Sequence, residues 1–115
     1  MTAESVAVPA ELRPKLDQAV RRIVEVANPQ TVILFGSWAE GEQHEGSDVD
    51  LLVVAETSSW HKLSVTLRKA LRPVLAPLSF DLLVYPPENW EADRRLAGFV
   101  AREADRKGVR LYESA

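Results

Sequence analysis

Two apolar runs of β character bracket a polar loop of defined content, and this block constrains the fold more than any other part of the chain. Val32-Ile33-Leu34-Phe35 leads straight into Gly36-Ser37. Ten residues later Asp48-Val49-Asp50 opens the run Leu51-Leu52-Val53-Val54. A small, glycine-bearing loop therefore leaves one strand, and a pair of carboxylates enters the next. That arrangement suits a triphosphate held beside a divalent metal ion.

The rest of the chain sets the frame. With 115 residues there is room for one core, so the expected organisation is a loose leader over residues 1–8 and one domain over 9–115. The net charge of -3 offers no overall basic field, so no direct contact with nucleic acid and no anionic membrane partner is expected. There is no cysteine, which excludes disulfides, thiolate metal sites and cysteine nucleophiles. His44 and His61 are too few for a histidine-rich zinc site. No apolar stretch approaches a membrane span, and the first residues lack the pattern of a secretion signal, so a cytoplasmic protein is expected.

Periodicity gives the elements. Leu12, Leu16, Ala19/Val20, Ile23 and Ala27 form one stripe of a helix opening at residue 9 or 10 and stopped by Asn28-Pro29, with Pro14 tolerated in its first turn. Thr31–Phe35 reads as a buried strand, 48–55 as a second, and 78–85 as a third. The polar loop 36–47 has room for a helical turn near 38–41. Ser58 or Ser59 can cap a helix over 60–71, with Leu63, Leu67, Ala70 and Val74 inward. A last helical region over 88–107 carries Trp90, Ala97, Val100/Ala101 and Ala104, with a break near Gly98. Gly108 takes the usual C-terminal glycine position, and Val109–Glu113 forms a short edge strand. The sum is an α/β (α+β) sandwich, a small mixed β-sheet flanked by helices.

Side chains two apart on a strand share a face, so Asp48 and Asp50 point the same way. Two such carboxylates repel, and a divalent cation removes the conflict. Oxygen-only ligands favour Mg²⁺. Asp81 interrupts the apolar run 78–84, where an isolated charge is costly. If its strand lies beside the second, Asp81 reaches the same centre and can accept a proton from an attacking hydroxyl. Gly36 lets the backbone approach a phosphate, and Ser37 adds a hydroxyl. Taken singly, an Asp-x-Asp after Gly-Ser is ordinary turn chemistry, and an Asp in an apolar run is an ordinary edge residue. Their conjunction, in the order strand, Gly-Ser, loop, Asp-x-Asp, strand, helix, strand with Asp, is what points to a site.

Gly36-Ser37 followed by Asp48-Val49-Asp50 resembles the signature of the nucleotidyltransferase superfamily, the polymerase-beta-like fold. Ser47-Asp48-Val49-Asp50-Leu51, Phe80-Asp81-Leu82-Leu83-Val84 and the ending Lys107-Gly108-Val109-Arg110-Leu111-Tyr112 look most like its minimal nucleotidyltransferase (MNT) branch. The resemblance implies Mg²⁺-dependent transfer of AMP from ATP to a hydroxyl. Asp48, Asp50 and Asp81 would be catalytic and metal-binding, and Gly36 and Ser37 would hold the triphosphate. It also implies an antitoxin role, with a HEPN-type ribonuclease toxin as the partner and a tyrosine as the acceptor. Relatives carry basic residues after the Gly-Ser, whereas this chain has Trp38, Ala39 and Glu40.

Two functional readings follow: an enzyme that adenylylates a partner protein, or a module of the same fold that neutralises its partner by binding alone. A small Ca²⁺- or nucleotide-sensing domain is a more distant third, and the oligomeric state stays open. Trp38 is expected to pack rather than stack on a base, and Trp60 and Trp90 to anchor the core or a partner surface. His44 and His61 are expected at the surface. Arg94, Arg95, Arg102, Arg106 and Lys107 give the last helix a basic, solvated face.

Overall fold

The computed structural model describes residues 8–114. In chain order the elements are α1 (Arg13–Ala27), β1 (Thr31–Phe35), α2 (Ser37–Glu40), β2 (Val49–Val54), α3 (Trp60–Leu75), β3 (Phe80–Tyr85), α4 (Pro87–Asp93), α5 (Val100–Lys107) and β4 (Val109–Glu113). The four strands form one mixed sheet in the order β3-β2-β1-β4. β1 is antiparallel to both β2 and β4, while β3 returns through α3 to lie parallel to β2.

Alternation along the strands builds two apolar layers. Val32, Leu34, Val49, Leu51, Val53 and Leu82 face α1 and α3, where Leu16, Ala19, Ile23, Leu67, Leu71 and Leu75 close the larger core. Ile33, Leu52 and Val54 face the other way, onto Trp90, Ala101 and Ala104 of α4 and α5. The mixed sheet with helices on both faces is the expected architecture. Among the described residues no helix is long and apolar enough to cross a membrane. Most of the expected leader lies outside the described residues, but Val8 at its end is buried in the larger core.

Several boundaries differ from expectation for identifiable reasons. α1 begins at Arg13, not at residue 9 or 10, because Pro14 has no N–H to give Ala10 and must lie in the first turn. Residues 9–12 form a separate turn closed by Leu12 N–H on the Pro9 carbonyl. α3 runs past Pro73 to Leu75, and its buried stripe is Leu67, Leu71 and Leu75, with Leu63 and Val74 only partly covered. Burying Leu75 is worth ~1.5–3 kcal/mol, comparable with the ~3 kcal/mol that an internal proline costs. Ser59 is the cap, accepting from Lys62 N–H.

The last helical region is two helices. Gly98, at φ +90°, lies in the link between them, and the change of direction leaves Val100 exposed where a single helix would have buried it. Gly108 is extended (φ -78°, ψ 166°), not left-handed. It is needed for space: a Cβ there would collide with the Ala104 carbonyl and with Ile33. Trp60 is exposed, so of the three tryptophans only Trp38 and Trp90 belong to the core.

Candidate active site

β1 ends where β2 and β3 begin, so the Gly-Ser loop and all three aspartates come to one end of the sheet. The register places Phe35 opposite Asp50, and Asp50 opposite Asp81, in a single row across three strands. Asp50 and Asp81 share the sheet face that carries Leu52, Leu83, Val54 and Tyr85, the face covered further along by α4 and α5. Asp48 stands one residue ahead of β2, and its Oδ1 accepts a hydrogen bond from Ser79 Oγ.

Gly36 turns the chain out of β1 at φ +77°, a conformation that favours glycine. A Cβ at this position would run into Asp50 Oδ2. The missing side chain therefore first makes room for the carboxylate, before any phosphate is considered. Ser37 opens α2, whose first turn is closed by Ala39 and Glu40 N–H groups on the Gly36 carbonyl. Trp38 packs as expected: it is buried, and its Nε1 donates to the Ser47 carbonyl at 3.2 Å, tying the loop to the start of β2. Glu40 is exposed.

Burial pushes the Asp50 carboxyl above its usual value, and the neighbouring charges of Asp81 and then Asp48 push it further in the same direction. The charges of Asp81 and Asp48 are thus felt at Asp50. The three aspartates do not stand as a formed ligand cluster: among the described residues no three acidic or histidine side chains are gathered to hold one ion. Asp81 is engaged elsewhere. Its Oδ1 accepts from Arg68 Nη2 at 3.2 Å and from Leu82 N–H at 2.9 Å, toward the open edge of β3. The donor set nonetheless suits a hard divalent cation, since it is all oxygen and its mutual repulsion is relieved by positive charge.

Ser79, Arg68 and Ser64 were not legible as site residues. Ser79 had a signal, standing two before Asp81 and so on its face. Arg68 and Ser64 had none, because their place depends on how α3 crosses the sheet. An open cleft of about 520 Å³ adjoins the site through Ser47 and Ser79 and is lined further by Trp38, Gln43 and Leu78. None of Gly36, Ser37, Asp48, Asp50 and Asp81 lines it. His44 lies on its rim, exposed, and Arg94, Arg95 and Lys107 of the basic face are paired with Glu91, Asp105 and Glu103.

None of the curated proteins matches this chain. A solved structure described as "Crystal structure of the toxin-antitoxin with AMP-PNP" is similar in fold, with a TM-score of 0.59 and 21% identity over 86% of this chain and 73% of that one. Residues 18–114 match the family described as "Polymerase beta, Nucleotidyltransferase". Its span takes in the Gly-Ser loop, the Asp-x-Asp strand and the third aspartate, and the chain belongs to that polymerase beta nucleotidyltransferase family.

Proposed function

We propose that this protein is a Mg²⁺-dependent nucleotidyltransferase that moves AMP from ATP to a hydroxyl of a partner protein, as the antitoxin of a toxin–antitoxin pair. The observation that carries the reading is the row Asp50–Asp81 beside Gly36, with Asp48 joined to it electrostatically. Family membership supports transfer chemistry, and the similar structure that pairs a toxin and an antitoxin with an ATP analogue supports the donor and the partner class. A HEPN-type ribonuclease, offering a tyrosine, is the partner the MNT-like motifs favour. A cytoplasmic setting accords with it.

In this reading Asp48 and Asp50 hold Mg²⁺, with Asp81 completing the set. The bound cation supplies positive charge to the phosphates and to the oxygens that enter and leave. Gly36 and Ser37 would hold the triphosphate at the mouth of the site, the glycine by letting the backbone approach closely and the serine through its hydroxyl. The acceptor oxygen attacks the α-phosphorus as the bond to the α–β bridging oxygen breaks, so that pyrophosphate leaves and a phosphodiester joins AMP to the acceptor. Asp81, on the outermost strand of the row, would take the hydroxyl proton once its carboxylate has turned from Arg68 toward the centre.

The test is direct. ATP, Mg²⁺ and the partner should give a partner heavier by one AMP, and Asp48→Asn with Asp50→Asn should abolish the adduct without unfolding the protein. A second reading, neutralisation by binding alone, is favoured by one observation: Asp81 is engaged by Arg68 and the three ligands are not gathered. A double variant that still neutralises the partner fully would establish that second reading.

A further inference from the structure

Arg68 reaches from α3 around the free edge of β3, and three acceptors hold it there. Its Nε meets Ser64 Oγ at 3.3 Å, while its Nη2 meets the Leu82 carbonyl at 2.7 Å and Asp81 Oδ1 at 3.2 Å. The Ser79 and Tyr85 carbonyls accept from Val49 and Ala55 N–H groups on the β2 side. By strand alternation the N–H and carbonyl of Leu82 point outward, to the edge. Asp81 and Arg68 satisfy both of them, so one ion pair closes the exposed backbone of the edge strand at Leu82.

We propose that Arg68 is a positioning residue that competes with the divalent cation for Asp81. Without a cation it holds the third carboxylate at the edge of the sheet, and filling the Asp48–Asp50 centre draws that carboxylate back. The inference rests on the metal-centre reading given above. Two of the three anchors of Arg68, Ser64 and the Leu82 carbonyl, do not involve Asp81. The guanidinium therefore stays in place when the carboxylate turns away. The Asp81 contact is also the longer of the two made by Nη2, and so the one more easily given up. Both side chains are substantially exposed, at 40% and 59%, and a pair so open is a weak restraint. It biases Asp81 without blocking it.

The probe is Mn²⁺ alone, without nucleotide, titrated into metal-free protein with the free ion followed by electron paramagnetic resonance. Arg68→Gln should bind Mn²⁺ about 2–5-fold more tightly than the wild type, the range expected for losing an exposed charge pair. The same change on an Asp81→Asn background should have no effect. A gain that persists on that background would show only a removed positive charge and overturn the proposal. Equal or weaker binding by Arg68→Gln also overturns it, while leaving the metal centre standing. No Mn²⁺ binding by either protein removes the centre itself and the proposal with it. Thermal melts establish that each variant is folded. Should Arg68→Gln fail to fold, Ser64→Ala, which frees one anchor of the guanidinium, is expected to tighten Mn²⁺ binding by a smaller factor, and no change there overturns the proposal.

Discussion

Gly36 and Asp50 depend on one another. The carboxylate occupies the space that any other residue at Gly36 would need, and the backbone there is left-handed. Gly36→Ala combines a strained φ with a collision, so stability should fall by about 1–3 kcal/mol in urea titrations. The displaced Asp50 should also weaken Mn²⁺ binding in the folded fraction. Asp50 itself works against the metal-free fold. Its folded pKa is raised, by burial first and then by Asp81 and Asp48, so between the unfolded and folded values the native state binds the proton more readily than the unfolded chain. The related stability is fully present below 3.8, the usual value, and is lost as pH rises through the folded value. Asp50→Asn in chelator should therefore unfold at higher urea than the wild type at pH 7, by at most ~1 kcal/mol because solvent screens the repulsion. The difference should vanish in acid below the usual value. Saturating Mg²⁺ should reverse the order, since only the wild type gains a bound ion.

Elements were legible where burial and local chemistry agreed. The run Thr31–Phe35, bounded by Pro29 and Gly36, gave β1 its limits, and Asn28, left-handed at φ 46°, ends α1 as its sequence implies. The carboxylate pair could be placed on a strand and a shared face from spacing alone. That Asp81 can reach the same centre follows if β3 neighbours β2, but its direct opposition to Asp50 is set by the register, which spacing does not fix. What spacing could not give was any contact made across a crossover. Arg68 is one charged residue among several on an exposed helical face until α3 folds back over β3. α3 outruns the 60–71 span expected of it for a related reason: Pro73 is a local stop signal, and the burial that overrides it is tertiary. Leu75 is fully buried beyond the proline. Leu75→Ala should cost ~2–5 kcal/mol. Pro73→Ala restores a donor for the Lys69 carbonyl but enlarges the unfolded ensemble, and should raise stability by about 1 kcal/mol. Chemical denaturation of the two variants separates these effects by sign.

The two faces of the sheet serve different ends in the whole molecule. α1 and α3 seal one face with most of the core, whereas α4 and α5 cover only part of the other and leave the row of aspartates open. β2, buried on both faces and hydrogen-bonded on both edges, is the rigid element on which Asp50 rides. The Gly-Ser loop, by contrast, is tied down chiefly through Trp38 and its bond to Ser47. This division predicts a pattern of amide hydrogen exchange. In the free protein β2 and β1 should exchange most slowly, and the 94–99 link and the 41–47 loop should be among the fastest. Adding Mg²⁺ with a non-hydrolysable ATP analogue should protect residues 36–38 and 48–50 and leave α1 unchanged. Leu82, whose N–H is held by Asp81, should exchange faster on loading if Asp81 turns to the centre, an opposite sign at one amide of the same site. Protection gained uniformly over the molecule would mean global stabilisation by mass action, and protection confined to the 94–99 link would move the nucleotide away from the aspartates altogether.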